Sequence, residues 1–284
     1  DSTRPNIALA TYLEKAGQIE EAISVLEQVP HSLERRKESL ALDAKLASLY
    51  IYAGNLSKAK YKIGQIEKKP NLPSGLLDYL RGSYAIKQNN LDEAESLLAK
   101  AYRETSNSHT LKLLHVLNLK RGTVDNSILI EHLKLHPNDI SIKALLAESL
   151  IGKDNDKSIA IFEDIVSQSS GNSDLLNNYA WVLHLEGKDD RAFEVAKSVV
   201  KSNDSNQEYL DTLFRILTSL NRFNEITNFS NNASSDANTL LLANAYMHLN
   251  EKTQAQKALA KVEKSGLNKE DLSLYERISK DVKN

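Results

Sequence analysis

The chain has 284 residues, 41% of them hydrophobic and 26% charged, which is enough apolar material for a continuous core, yet no apolar run approaches the roughly 18 residues of a membrane span. Thirty-six Lys and Arg against 38 Asp and Glu leave a net charge of −2 and no basic footprint for nucleic acid. Cysteine is absent, which rules out disulfides, zinc–thiolate sites and a thiol nucleophile. Only 5 Pro and 10 Gly point to helix almost throughout.

Taken in order, the periodicity predicts eight helix pairs. The opening DSTRP has no basic or apolar leader and no initiating Met, as expected of a mature or trimmed form. Asn6–Ala16 and Glu20–Val29 form the first pair, whose opening helix carries Ile7, Leu9, Tyr12 and Leu13. The charged run 31–40 reads as a solvated extension of the next helix; the alternative is an anion contact by Arg35, Arg36 and Lys37. The second pair spans Glu38–Tyr52 and Ser57–Lys68, and Pro70 and Pro73 stop it. The third occupies 76–102, and the fourth runs from His109 to His136 before Pro137. Ile140–Ile151 and Asp156–Ser167 make the fifth, one residue short before its turn. SQSSGNSD (167–174) is the candidate hinge, dividing repeats one to five (1–169) from six to eight (170–266). The sixth pair opens at Leu175. The seventh is Gln207–Leu220 with a short Phe223–Phe229, and the polar run 230–238 stands in for the rest of that helix. Asp236–Leu249 and Thr253–Lys264 form the eighth. The final stretch, 267–284, reads as a capping helix with one apolar face of Leu272, Tyr275, Ile278 and Val282.

A six-residue block marks the turn of each pair: GQIEEA (17–22), GNLSKA (54–59), NNLDEA (89–94), GTVDNS (122–127), KDNDKS (153–158), GKDDRA (187–192), NRFNEI (221–226) and NEKTQA (250–255). The mean spacing is about 33 residues, the period of stacked helix pairs. A leading Gly or Asn suits a left-handed helix end, where a β-carbon is costly. Small residues seven positions before the block (Ala10, Ala47, Gly82, Ala180, Ala243) and at its end let the paired helices cross closely. Leu26, Ile63, Leu98, Phe162 and Leu259 fall four residues past the block end. This pattern resembles the tetratricopeptide repeat over nearly the whole chain. The resemblance implies an all-α right-handed superhelix of about eight pairs plus a C-terminal capping helix. Two copies depart from it, His115 with Ser127 and Phe214 with Ile226, and bulk at the crossing should splay those pairs.

No motif supports catalysis or a cofactor. Glu131, His132 and His136 could share a metal, since i and i+4 histidines face one side of a helix, but the spacing is not HExxH and a third ligand is missing. Asp154, Asp156 and Asp164 lack the glycine and closing glutamate of a calcium loop. Neither GxSxG, GxGxxG nor a P-loop occurs. Four Asn-X-Ser matches, at Asn55, Asn203, Asn228 and Asn232, are expected by chance in an Asn- and Ser-rich chain.

Surface remains. The resemblance places the first helix of each pair on the concave side, with positions ten, six and three before the block facing inward. Repeats two to five then give Ala44, Ser48, Ile51, Tyr79, Ser83, Ile86, Val116, Leu119, Ala147 and Leu150, an apolar strip edged by Lys112 and Lys143. Repeats six to eight give Asn177, Trp181, His184, Asp211, Arg215, Thr218 and Asn244, a polar and aromatic strip of the kind enriched in binding hot spots. On this reading Arg215 is a forked donor to a partner carboxylate and Asn177 a backbone clamp, so Arg215→Ala weakens binding and leaves stability nearly unchanged. The alternative is that Trp181 fills a packing gap and Arg215 merely pairs with Asp211. Residues 177–200 with 209–217 further resemble the closing repeats of large bacterial tetratricopeptide lipoproteins of exopolysaccharide export and surface-protein sorting. That resemblance implies a periplasmic or outer-membrane-tethered scaffold for a protein partner, although Phe214-Arg215 replaces the usual Gly-Trp. The alternatives are a cytoplasmic protein, the substrate-recognition arm of an enzyme or transferase, and a helical-repeat RNA binder, which the lack of a basic stripe disfavours.

Overall fold

The computed structural model describes residues 4–29, 36–123, 125–168 and 172–283. The anion contact at Arg35, Arg36 and Lys37 and the middle of the 167–174 connection lie outside the described residues and side chains. The chain divides into two compact units, residues 1–142 and 143–284. The fold is an all-α array of helix pairs, and no strand occurs among the described residues.

In the first unit α1 (Arg4–Lys15) pairs with α2 (Ile19–Glu27), α3 (Arg36–Tyr52) with α4 (Leu56–Glu67), and α5 (Leu76–Lys87) with α6 (Leu91–Thr105). Next come α7 (Ser108–Lys120), α8 (Ser127–Leu135) and α9 (Ile140–Leu150), and the boundary between the units falls within α9. The second unit continues with α10 (Asn155–Gln168), α11 (Ser173–Leu185), α12 (Asp189–Ser202), α13 (Gln207–Ser219) and α14 (Phe223–Thr227). It ends with α15 (Asp236–His248), α16 (Lys252–Leu259), a 3-10 turn at Lys264–Gly266 and α17 (Lys269–Lys283).

The turn chemistry works as the sequence implies. Gly17, Gly54, Asn89, Gly122, Gly187, Asn221 and Asn250 all have φ between 56° and 77°. At the sixth turn the Gly187 N–H donates to the His184 carbonyl and the Lys188 N–H to the Leu183 carbonyl, both at 2.9 Å, so two otherwise orphaned carbonyls are satisfied. The small residues Ala10, Ala22, Ala47, Ala59, Ala180, Ala192, Ala243 and Ala255 are all buried at the crossings. At Gly82 a β-carbon would stand 2.7 Å from Leu98 Cγ, so contact between α5 and α6 requires glycine there.

Two copies differ from the sequence reading. In the fifth, the left-handed residue is Gly152, one before the block, and the helices cross at Ala147, where Ser158 Oγ donates to the Ala147 carbonyl at 2.8 Å. The first helix is therefore shifted by one residue relative to the block. Ala147 is core rather than inner surface, and Lys143 pairs with Asp164 of α10 instead of edging a strip. In the fourth copy α8 starts five residues after Gly122, whereas the second helix starts two residues after the turn residue in most pairs. Asp125 accepts from the Ser127 amide and hydroxyl, and Ser127 is exposed, so it does not meet buried His115 at a crossing. The seventh copy has the short second helix expected of it, α14 spanning five residues, and Phe214 and Ile226 are both fully buried.

Where α14 stops, the polar run is organised by Gln207. Its Oε1 accepts from the Ser234 and Ser235 amides (2.8 and 2.9 Å), and its Nε2 donates to the Ser205 and Asn232 carbonyls, both at 2.9 Å. Buried Asn238 donates to the Gln207 carbonyl at 2.8 Å. These bonds replace the missing helical ladder.

Candidate partner-binding surface

The first helices of the second unit are started by side-chain caps. Asn172 accepts from the Leu175 amide, Asn206 from the Glu208 and Tyr209 amides, and Ser235 from the Asn238 amide. Each such cap stabilises a helix by about 1 kcal/mol. Fixed starts at a 34-residue spacing set Asn177 level with Asp211 and Trp181 level with Arg215.

Between α11, α13 and the start of α15 lies a groove of about 400 Å³, lined by Asn177, Asn178, Trp181, Gln207, Glu208, Asp211, Thr212, Ser235 and Ala237. It brings together three of the sequence candidates: Asn177, Trp181 and Asp211. Asn177 Oδ1 and Asp211 Oδ1 are shut off from water and have no hydrogen-bond partner among the described residues. A buried acceptor without a donor is costly, and a donor from outside would meet either oxygen only once its side chain turns toward the groove.

The other candidates lie elsewhere. Arg215 is turned away: its Nε donates to Asp211 Oδ2 at 2.8 Å, and its Nη2 donates to both carboxylate oxygens of Asp271 on α17, at 3.1 and 3.2 Å. Asp271 is buried and is held again by Asn268 Nδ2 at 2.8 Å. Burial works against the Arg215 charge, but the hydrogen bonds to Asp211 and Asp271 outweigh it and hold the guanidinium above its ordinary value. The carboxylate that takes the fork thus belongs to the chain's own last helix. His184 lies beside Trp181, the rings tilted by 49° with centres 5.5 Å apart, and its Nδ1 lies 2.6 Å from Asp189. Thr218 bonds back to the Phe214 carbonyl. Asn244 is buried and lines a separate pocket of about 260 Å³ with Met247, His248, Arg277, Ile278 and Asp281.

In the first unit, Tyr79 lines a pocket of about 310 Å³ with His109, their rings 5.6 Å apart. Burial raises the Tyr79 hydroxyl, whereas burial and then Lys112 lower the His109 imidazole. Lys112 is half-buried and does not line that pocket. Val116 and Leu119 are exposed, whereas Ile51 is buried, so the apolar strip of the sequence reading is broken.

The histidine pair considered for a metal has another role. His132 is buried, with Nδ1 2.8 Å from the Tyr102 hydroxyl and Nε2 3.0 Å from Asp139 Oδ2, so both ring nitrogens are engaged. Asp139 also receives Ser108, Ser141 and the Ser141 and Ile142 amides, and so caps α9. Burial pushes the Asp139 carboxyl up, but these donors together prevail and hold it well below the usual carboxylate range. A carboxyl with a depressed folded pKa adds stability above its unfolded value near ~4, and that stability is lost as pH falls through the folded value. Asp139→Asn should therefore cost the first unit about 1–3 kcal/mol at neutral pH and flatten the loss of stability on acidification, read as urea midpoints at a series of pH values.

No family model and no curated protein sequence matches the chain. Solved structures do. The apo form of RapI superposes with a TM-score of 0.64 at 12% identity, over 99% of this chain and 97% of that one. Yeast Tom70 gives 0.56 at 16% identity, over 94% of this chain and 60% of Tom70. A tetratricopeptide repeat protein from Parabacteroides merdae gives 0.44 at 15% identity, over 99% and 98%. At these identities the likeness is one of fold, and the chain has a tetratricopeptide-like array of helix pairs.

Proposed function

We propose that the chain is an interaction scaffold and that its second unit holds a segment of another protein in the groove between α11, α13 and α15. The observation that carries this reading is a groove of about 400 Å³ walled by the only tryptophan, with Asn177, Glu208 and Asp211 in its lining. A half-buried tryptophan in the wall of a groove is the kind of residue in which binding hot spots are enriched. Elsewhere the side chains that suggested chemistry are engaged in structure, His132 with Tyr102 and Asp139, and His184 with Asp189.

The finer assignment, to a bacterial envelope assembly such as exopolysaccharide export or surface-protein sorting, is supported by the likeness of 177–200 and 209–217 to the closing repeats of such lipoproteins. One experiment addresses both levels. A photo-crosslinking residue at Asn178 in the groove should capture a partner in cells, and the same residue at exposed Glu194 on α12 should not. Equal capture at both positions removes the groove, and a partner with no place in the envelope removes the finer assignment.

A further inference from the structure

We propose that the groove is a receptor for a cationic side chain, so that the partner segment presents a lysine or arginine between Trp181 and Asp211; this rests on the scaffold reading above. Gln207 donates to the Ser205 and Asn232 carbonyls, Asn178 Nδ2 to Glu148 at 3.1 Å, and Thr212 Oγ1 to the Glu208 carbonyl at 3.3 Å. The donors of these lining side chains are thus engaged within the chain. Two acceptors of the lining residues, Asn177 Oδ1 and Asp211 Oδ1, are closed to water and have no donor among the described residues.

Charge points the same way. Glu208 and Asp211 line the groove, and no Lys, Arg or His among the described residues does. The nearby cation, Arg215, lies between two carboxylates, Asp211 and Asp271, so its charge is more than balanced. The Trp181 indole adds a face that attracts cations and repels anions. A volume of about 400 Å³ admits an ammonium or guanidinium side chain together with its flanking backbone. An anionic partner would meet the Glu208 and Asp211 carboxylates.

Trp181 is the only tryptophan, so its emission reports on the groove alone. The full chain is titrated with blocked pentapeptides that differ only in a central Arg, Lys, Ala or Glu. The Arg and Lys peptides should shift the emission saturably, at least about tenfold more tightly than the Ala peptide, with the Glu peptide weakest and the advantage shrinking with salt. Glu208→Gln, at an exposed position, should weaken the Arg peptide by roughly tenfold without changing the melting curve. Asp211→Asn, which leaves the Arg215–Asp271 pair in place, is the second variant. If the Ala or Glu peptide binds as tightly as the Arg peptide, the cation receptor is overturned and the groove stands. If no peptide moves the emission, both readings are overturned.

Discussion

Arg215→Ala should lower the stability of the second unit by about 3–5 kcal/mol, an effect of breaking a mostly buried ion pair rather than of losing a ligand contact. Asp271 is only 3% exposed, and without the guanidinium its charge is left with Asn268 as its remaining side-chain donor. Asp211 loses its Nε partner at the same time. The penalty is therefore chiefly desolvation of two orphaned carboxylates, one of them inside the protein. Arg215→Lys should recover part of it, since an ammonium retains the charge but cannot serve both carboxylates with a planar fork. Urea unfolding followed by Trp181 emission measures both variants in the second unit. If Arg215→Ala unfolds within about 1 kcal/mol of the parent, the Asp271 pair contributes little and the guanidinium is available to a partner. From sequence alone the opposite result was the natural expectation, because the carboxylate that meets Arg215 lies 56 residues further along the chain.

Phe214→Ala should cost about 3–5 kcal/mol, the range for truncating a fully buried aromatic. In most repeats the equivalent position holds Ala or Gly, which invites the guess that alanine here would restore a regular crossing. The structure argues otherwise. The shortened α14 leaves room that Phe214 fills, with the Phe229 ring 5.9 Å away and Ile226 buried beneath the same pair. Truncation opens a cavity, and Gln207 and Asn238 hold the following loop too firmly for α14 to collapse into it. A calorimetric melt of the variant tests this. An unchanged or raised melting temperature would show that the repeat closes over the gap.

Most of the fold was legible because its determinants are local. A Gly or Asn at a left-handed turn, a small residue seven positions earlier and an apolar residue four past the block are each visible within about 20 residues, and they recur. Errors entered where one residue changed the register. Gly152 was missed as the fifth turn because the block motif began at Lys153, and that slip moved Ala147 and Lys143 onto the wrong face. The late start of α8 had a readable signal in Asp125 two residues before Ser127, a side-chain capping pattern. Of the candidate site, Asn177, Trp181 and Asp211 followed from the 34-residue equivalence of neighbouring helices. Gln207 and Asn238 did not, because a side chain that organises a loop 25 to 31 residues away leaves no periodic trace. Arg215 illustrates the same limit, since periodicity gives the face of a helix but not what covers it.

The pairing of Arg215 with Asp271 also bears on how this array could have changed in length. Repeat proteins grow and shrink by copying or losing whole units, and stacking tolerates this where each unit contacts only its immediate neighbours. Here a residue in the seventh unit is matched to one beyond the eighth, and α15 between them contributes Leu240 and Ala243 to one core and Leu241, Leu242 and Ala245 to another. Deleting or duplicating the eighth unit would misplace the carboxylate that Arg215 needs and leave one of two cores without its shared helix. The stretch from Arg215 to Asp271 is thereby fixed in length, and gain or loss of repeats among relatives should fall outside it.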